Sequence, residues 1–547
     1  MADILIVGAG PTGLTMAAVL ARHGLRPRII DRAVQPPADR SRAIVIQART
    51  LELFEDLGIV DEVLGEALVV DQINFYSPTG RHGTIRIDPR WIDSRYGRIV
   101  TLPQDRTEAI LAGLVARSGV DVERGVELTG LADRGTAAEA TLRDAGSREE
   151  RITVDWVLGC DGLHSAVRQL SGIPFAGSTY ADEGLLGDVD IRWPLPDGQL
   201  AICPGVTGVL LAFPLPGAHH FRVILIEPAT GGVDERDLPE QEFVAEVSKA
   251  LPRFPNASPP EVLTRHWLTR YRLHRKGAPT YRKGRSFLAG DAAHVHSPVG
   301  AQGMNTGIQD AYNLGWKVAL VARGEAQPAL LDSYDLERRP VGEKLLHVTD
   351  RFFALAVGGG RLGRVVRQVL PTIAVRVLQV PMVRKRLARF VSQTGIRYRH
   401  SPLSVDAHGA ARLDSHAPHA GDRAPDVELG PTRWLAELLH GPRHTLLLFA
   451  GRSTALLERF ATISDEVVSR YGSLVSPAII RLDPAHPAIG EVDRRGVAHA
   501  RYGALQEGAI YLVRPDGYIE FRGAGTDVEV LRTTLRQRFI VKTAGRD

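Results

Sequence analysis

The sequence has few cysteines, no long apolar run and no dense cluster of basic residues. Two cysteines among 547 residues exclude a disulfide scaffold and a cysteine-rich zinc module, and they fit a reducing cytosol. The longest apolar runs, such as residues 209–213, fall far short of the ~18 residues that span a bilayer. No basic segment precedes an apolar stretch at the N-terminus, so no signal peptide is predicted. We therefore expect a cytoplasmic protein without membrane insertion.

Charge and composition are ordinary for a soluble globular chain. The formal net charge is +4, with 44% hydrophobic and 24% charged residues. No run of lysine and arginine is dense enough to indicate a nucleic-acid-binding tail, so no nucleic-acid partner is expected. At about 100–200 residues per domain, the length indicates roughly three domains.

The N-terminal residues carry the pattern of a dinucleotide-binding βαβ unit. An apolar strand leads directly into Gly8, Gly10 and Gly13, and a predicted helix and a second strand ending at Asp31 follow. Gly8 permits a tight turn, Gly10 lets a pyrophosphate approach the backbone, and Gly13 lets the helix pack on the strand. An acid at the position of Asp31 accepts hydrogen bonds from ribose hydroxyls. This unit alone predicts NAD or FAD.

Two further motifs follow, one at residues 159–168 and one at residues 290–305. With the glycine turn, they resemble the three fingerprints of class A (single-component) FAD-dependent aromatic hydroxylases. The resemblance is strongest to bacterial polyketide hydroxylases of the angucycline and anthracycline type, and it covers about residues 1–395. The C-terminal region resembles the thioredoxin-like extension of the longer members.

The resemblance implies an α/β fold of three parts. These are a Rossmann-like FAD-binding domain, an inserted β-sheet substrate domain as in para-hydroxybenzoate hydroxylase, and a C-terminal thioredoxin-like domain. The expected bounds are 1–178 and 270–395 for the discontinuous FAD-binding domain, 179–269 for the middle domain, 396–420 for a linker and 421–547 for the C-terminal domain. Neither cysteine lies in the C-terminal region, which excludes dithiol chemistry there and predicts a structural or dimer-supporting role.

The resemblance also implies non-covalent FAD, with NADPH or NADH and O2 as co-substrates. Asp291 is expected to hold the ribityl chain, and His164 is a candidate NADPH contact. The residues expected to bind the cofactor are Gly8, Gly10, Gly13, Asp31, Arg32, Arg42, Gln104, Asp161, His164, Arg168, Gly290, Asp291, Gly300, Gly303, Met304 and Asn305. The expected catalytic residues are Pro298, Met304 and Asn305, in a loop and helix start whose amides stabilise negative charge on the flavin ring.

The implied reaction is hydroxylation of a phenolic or polyketide aromatic small molecule through a flavin C4a-hydroperoxide. Two alternatives stay open: Baeyer–Villiger insertion into a polyketide quinone, and a redox-silent FAD-binding protein that holds an intermediate. Ile44 occupies the position where phenol hydroxylase has an active-site acid, so that base is absent. A homodimer is the expected assembly.

Some polar residues are expected to be structural. Tyr271, Tyr281 and Arg222 could serve a phenolic substrate, but packing is the favoured interpretation for each. His294 and His296 lie near Asp291 inside the flavin motif, without the paired spacing of zinc ligands, so no metal is expected.

Overall fold

The structure is a computed structural model that describes residues 3–36, 43–77, 80–205, 208–227, 236–254, 258–295, 301–357, 376–377, 379–482 and 490–541. Its α-helices lie at Pro11–Arg22, Ala48–Asp56, Val60–Glu66, Gln104–Arg117, Ala166–Leu170, Glu240–Ala250, Gly303–Ala322, Asp332–Val357, Pro381–Val391, Ala436–Leu439, Thr454–Tyr471, Val497–Arg501 and Val528–Arg538. Short 3-10 helices lie at Pro89–Trp91, Gly290–Ala292, Pro328–Leu331 and His408–Arg412. Within the described ranges, no helix combines the length and the apolar character needed to cross a membrane.

The N-terminal βαβ unit belongs to a six-stranded sheet that is parallel except at one edge. Its strands follow the spatial order Arg282–Lys283, Ser286–Leu288, Trp156–Gly159, Ile4–Val7, Arg28–Asp31 and Val122–Arg124. Strand Ile4–Val7 is buried throughout because it pairs on both sides. Each of the three motifs follows the carboxyl end of a strand of this sheet. The motifs therefore meet at one edge, where open α/β sheets bind ligands.

Two smaller sheets accompany the parallel sheet. One is antiparallel and consists of Val126–Asp133, Ala138–Asp144 and Glu149–Val154. The other consists of Val45–Ile46, Ile99–Thr101 and Leu68–Val70. This second sheet packs through Val45 and Val70 against Leu186 and Ile224 of the middle domain. It thus joins the FAD-binding part to the inserted sheet.

The middle domain is a nine-stranded, mostly antiparallel sheet. Its strands follow the order Arg236–Asp237, Glu261–Gly277, Ala176–Arg192, His220–Glu227, Val209–Pro214, Leu200–Pro204, Gln72–Ser77 and Gly80–Arg86, and His294–Val295 pairs with Glu261–Gly277. Helix Glu240–Ala250 covers one face with Phe243 and Val247, both fully buried. Residues 72–86 lie outside the bounds predicted for this domain, yet they add two edge strands because Gln72–Ser77 pairs in parallel with Leu200–Pro204.

The C-terminal region forms a mixed sheet with helices, in a thioredoxin-like arrangement. Its strands follow the order Val405–Asp406, Ile519–Ala524, Ala509–Val513, His444–Gly451, Val475–Arg481 and Glu491–Val492, and a separate pair joins Glu428–Gly430 to Arg433–Trp434. Strands Ala509–Val513 and Ile519–Ala524 form an antiparallel hairpin that turns at Pro515-Asp516-Gly517. The predicted linker 396–420 is not a free spacer, since Val405–Asp406 pairs with Phe521 and Arg522. This strand has only two residues, which is too few for a periodic signal in the sequence.

The C-terminal domain shares a hydrophobic core with the FAD-binding domain. Trp316, on helix Gly303–Ala322, is fully buried in a cluster that includes Leu446, Phe460 and Phe521 of the C-terminal domain. Its ring lies edge-on to His444, with centroids 5.2 Å apart. The helix therefore contacts the neighbouring domain through a tryptophan in its second half.

A buried charge cluster lies at the same interface. The Glu337 carboxylate accepts hydrogen bonds from Lys317 Nζ at 2.8 Å and Arg514 Nη1 at 2.6 Å, and none of the three is more than 1% exposed. Arg514 also donates to Asp516 at 2.5 Å. Burial alone would raise the pKa of Glu337, but the charges of Arg514 and Lys317 outweigh it and hold that pKa below its ordinary value. Burial lowers the pKa of Lys317 to about 8.

We expect Arg514→Met to destabilise the protein strongly. The substitution removes a cation while Glu337 and Asp516 stay buried, and an uncompensated buried charge costs about 3–5 kcal/mol. Urea unfolding of the FAD-loaded protein measures the loss. The matched control is Arg452→Met at an exposed position of the same domain, where a change within about 0.5 kcal/mol is expected. Equal losses in the two variants would contradict a docking role for the cluster.

Candidate active site

The three glycines of the first turn meet different surroundings. A Cβ on Gly8, whose φ is +101°, would lie 2.4 Å from the Cys160 carbonyl oxygen, and a Cβ on Gly13 would lie 1.9 Å from the Gly8 oxygen. A Cβ on Gly10 would meet no atom within 4 Å. Gly8 and Gly13 are thus required by close backbone packing, whereas Gly10 borders open space. Gly10 is the N-cap residue of helix Pro11–Arg22, and no side chain caps the N-terminus of this helix.

Asp31 lies at the end of the second strand and fixes the glycine turn. Its Oδ2 accepts a hydrogen bond from Ala9 N at 2.7 Å, and its Oδ1 accepts one from Ala33 N at 2.8 Å. A carboxylate has about four acceptor positions, so capacity remains for a ribose hydroxyl. The neighbouring Arg32 is exposed.

In the second motif, Asp161 and Arg168 organise the backbone. Asp161 accepts hydrogen bonds from Ser165 Oγ at 2.5 Å and Val167 N at 3.1 Å, and burial raises its pKa. Arg168 donates to the carbonyl oxygens of Leu163 at 2.7 Å and Ala292 at 2.8 Å. Arg168 therefore joins the second motif to the third. Arg168 is only 4% exposed, and these two hydrogen bonds satisfy its buried guanidinium.

The third motif begins with a turn in which Gly290 adopts the left-handed conformation and binds Asp310. Gly290 has φ +62°, and a Cβ there would lie 2.6 Å from Thr12 Oγ1. Its amide donates to Asp310 Oδ2 at 3.0 Å, and His294 Nε2 lies 2.7 Å from the same oxygen. The next residue, Asp291, is exposed and borders the cavity described below.

Helix Gly303–Ala322 points its N-terminus at the same cavity. Its first residues, Gly303 and Met304, and its N-cap Gln302 line the cavity, and no side chain caps the helix. Asn305, the next residue of the helix, does not line the cavity. Its Oδ1 accepts from Gln47 N at 2.8 Å, and its Nδ2 donates to Val45 O at 2.8 Å. Asn305 thus connects the helix to the small sheet.

These elements enclose a cavity of about 340 Å³ between the FAD-binding domain and the middle sheet. The middle sheet contributes an apolar wall, and Ile44 adds to it from the FAD-binding side. The wall residues of the sheet are Leu186, Phe213, Ile224 and Tyr271. Gln104, Arg272 and His274 supply polar groups. Such an apolar cavity with a few polar groups is typical of small-molecule sites.

The predicted site residues fall into groups. The cavity is lined by Gly10, Gln104, Asp291, Gly303 and Met304. The backbone of the site is shaped by Gly8, Gly13, Asp31, Asp161, Arg168, Gly290 and Asn305. His164 and Arg32 are exposed. Arg42, Pro298 and Gly300 lie outside the described residues, as does His296.

Sequence reasoning missed Thr12 and Asp310. Thr12 lines the cavity, and its hydroxyl fills the space that glycine leaves free at positions 290 and 307. Asp310 is a fully buried acid in a largely apolar helix. That acid was the available signal, because a buried carboxylate requires a partner.

The arrangement fits FAD. Two uncapped helix N-termini border one cavity, and each attracts negative charge. The open space at Gly10 suits a pyrophosphate, while the start of helix Gly303–Ala322 suits the ring edge that gains negative charge on reduction. The pair matches a cofactor with a phosphate end and a redox-active ring end.

Comparisons with known proteins agree with this geometry. Residues 1–349 match a family profile described as an FAD binding domain, and residues 417–539 match the aromatic-ring hydroxylase C-terminal domain. The 6-methylpretetramide 4-monooxygenase of Streptomyces rimosus is 34% identical over 98% of this chain and 93% of its own length. The pentachlorophenol 4-monooxygenase of Sphingobium chlorophenolicum is 33% identical over 96% of this chain and 94% of its own.

A solved structure extends the likeness to the whole fold. The OxyS anhydrotetracycline hydroxylase from Streptomyces rimosus superposes with a TM-score of 0.74 at 28% identity, covering 98% of this chain and 99% of its own. The predicted family, the FAD cofactor and the predicted three-part α/β architecture are thereby confirmed. This chain belongs to the family of FAD-dependent aromatic-ring hydroxylases.

Proposed function

We propose that this enzyme hydroxylates a phenolic or polyketide aromatic small molecule with O2, using NADPH or NADH as the reductant. The observation that carries the proposal is the cavity in which all three FAD motifs face an apolar wall of the middle sheet. Relatives that span nearly the whole chain are named for phenol and tetracycline-type substrates. The proposed assembly is a homodimer.

Different residues of the chain would bind different parts of FAD. Gly10 and the start of helix Pro11–Arg22 would bind the pyrophosphate, Asp31 a ribose, and Asp291 the ribityl chain. FAD, when bound, supplies the redox and oxygen-activating chemistry. The amides of Gly303 and Met304 would stabilise negative charge on its ring. Asp161, Arg168 and Asn305 would fix the backbone around the cofactor through their hydrogen bonds.

The middle sheet would position the substrate. Leu186, Phe213 and Ile224 present apolar surface to an aromatic ring and exclude water from the reacting atoms. Positioning contributes most to the reaction rate when the enzyme holds the ring in a near-attack geometry. Ile44 provides no base, so we assign orientation of the phenol oxygen to the polar groups of Arg272 and His274 on strand Glu261–Gly277.

The proposed domain bounds are those expected from the sequence, with one change. Residues 72–86 belong with the middle sheet, because their two strands extend it.

Gly10→Val is expected to weaken FAD binding without unfolding the protein. The new side chain meets no protein atom near its Cβ, yet it occupies the pyrophosphate space and removes hydrogen bonds to charged oxygens. Losing one such bond, at about 1.5–3 kcal/mol, weakens binding about 10- to 100-fold. Isothermal titration of the apoprotein with FAD measures the change. Gly65→Val, which also has open space around its Cβ but lies away from the cavity, should bind FAD like the wild type.

Ile224→Trp is expected to fill the cavity on the substrate side. The FAD content should stay unchanged, since Ile224 lies on the middle sheet. The KM for substrate should rise at least about tenfold, since the loss of fit in an apolar pocket costs ~1–3 kcal/mol. NADPH oxidation, product and hydrogen peroxide measured together would show whether reduction continues without hydroxylation. An unchanged KM would contradict the assignment of this wall to the substrate.

Labelled oxygen tests the reaction itself. The holoenzyme is given NADPH and a panel of phenols and polyketide quinones under 18O2, and each product is weighed by mass spectrometry. One labelled atom in a new ring hydroxyl is the expected result. Label in a new lactone would instead indicate Baeyer–Villiger insertion. NADPH oxidation without labelled product from any substrate would contradict the proposal. No NADPH oxidation at all would also contradict it and would favour a redox-silent FAD-binding protein.

A further inference from the structure

Three metal-ligand side chains meet on three neighbouring strands of the middle sheet. Asp188 lies on Ala176–Arg192, His220 on His220–Glu227, and His266 on Glu261–Gly277. One donor atom of each lies within 4.8 Å of the other two. The cluster is separate from the three FAD motifs, although Asp188 stands two residues along its strand from the cavity residue Leu186.

A β-bulge brings His266 into this group. Asp188 pairs with Trp267 and the next residue, Val189, pairs with Arg265, so His266 is the extra residue between them. A bulge redirects the side chain that it inserts. The His266 ring lies 4.9 Å from the His220 ring, centroid to centroid.

The ring of His220 is already oriented as that of a metal ligand. Its Nδ1 lies 3.0 Å from the Pro216 carbonyl oxygen, and its Nε2 lies 2.6 Å from Asp188 Oδ1. A carbonyl oxygen only accepts, so Nδ1 carries the proton and donates it to Pro216. Metal-binding histidines commonly hold their second nitrogen in this way. Nε2 faces Asp188 Oδ1 and donates a proton to it, so an ion that binds Nε2 would take the place of that proton.

The second carboxylate oxygen of Asp188, Oδ2, accepts a hydrogen bond from Arg222. Arg222 Nε donates to Asp188 Oδ2 at 3.0 Å, and Arg222 is 1% exposed. Oδ1 is the oxygen that faces the histidines. Asp190 Oδ1 adds a second carboxylate 3.2 Å from His266 Nε2. Apart from the histidines, the two carboxylates and the one guanidinium leave one negative charge beside the cluster, which favours a dication.

Solvent reaches the cluster from one side. The side chain of His266 is 45% exposed, while those of His220 and Asp188 are 17% and 10% exposed. An ion can therefore enter past His266 and be held by the two more buried ligands.

We propose that Asp188, His220 and His266 form a zinc-type site, with Asp188 Oδ1, His220 Nε2 and a ring nitrogen of His266 as ligands and water completing the shell. Two imidazoles and one carboxylate suit Zn2+ and its transition-metal neighbours, whereas Mg2+ and Ca2+ prefer oxygen ligands alone. The ion would join three strands of the sheet beside the substrate wall. This proposal departs from the sequence-based expectation, which was that the protein has no metal site.

Isothermal titration of the FAD-loaded, chelator-treated protein with ZnCl2 tests the site. One Zn2+ per chain is expected, with no comparable binding of Mg2+. His220→Gln and His266→Gln should each weaken Zn2+ binding at least about tenfold, since even losses in the shell behind the ligands cost 10- to 100-fold. Zn2+ should also raise the Tm of the wild type and not of the variants.

His416→Gln is the matched control, because His416 is exposed and pairs with one aspartate only. It should bind Zn2+ like the wild type. His266→Gln alters an exposed side chain, so its FAD content and Tm without zinc should match the wild type, and this separates ligand loss from misfolding. No Zn2+ binding by the wild type, or equal affinity in wild type and His266→Gln, would overturn the proposal. Because the readout is zinc binding, the outcome is independent of the monooxygenase assay.

Discussion

The buried ion pair between Asp310 and Arg338 supports the FAD motif from behind. Arg338 Nε donates to Asp310 Oδ1 at 2.6 Å, and both side chains are fully buried. The other oxygen, Oδ2, accepts from the Gly290 amide and contacts His294. Burial alone would raise the pKa of Asp310, but Arg338 and His294 outweigh it and hold that pKa below its ordinary value. The turn before Asp291 thus depends on a charge that only this arrangement can keep ionised, because an unpaired buried charge is costly.

Glu337, the residue next to Arg338, connects this ion pair to the C-terminal domain. Glu337 precedes Arg338 in the chain and binds Arg514 of the C-terminal domain. Arg338 itself donates to Tyr398 Oη at 2.8 Å, and the Tyr398 ring is tilted against the Tyr518 ring with centroids 4.3 Å apart. Two successive helical residues therefore face the flavin motif and the C-terminal domain. These contacts connect the C-terminal region to the helix that supports the flavin motif.

The features that the sequence predicted are those set by local sterics. Gly8 and Gly13 are required wherever a strand, a turn and a helix pack this closely, so the spacing alone predicts them. The roles of Asp161 and Arg168 were harder to predict, because the motif indicates that they matter but not that their polar atoms bind backbone. The strands at 72–86 depend on pairing with residues far along the chain. The Asp188, His220 and His266 cluster needs an antiparallel register and a bulge, neither of which leaves a spacing pattern.

The two sides of the cavity are built by different means, and this affects how the enzyme can change. On the cofactor side, backbone amides, glycine turns and the Asp310–Arg338 pair must fit together, so a single substitution disturbs several contacts. On the substrate side, Leu186, Phe213 and Ile224 are apolar side chains on one face of an antiparallel sheet. Volume-conserving exchanges of such residues usually cost under about 1.5 kcal/mol. Under the proposed assignment, the pocket can accept a new ring shape while FAD binding stays constant, because the substrate wall lies on the middle sheet and the cofactor contacts lie on turns and helix starts of the FAD-binding domain.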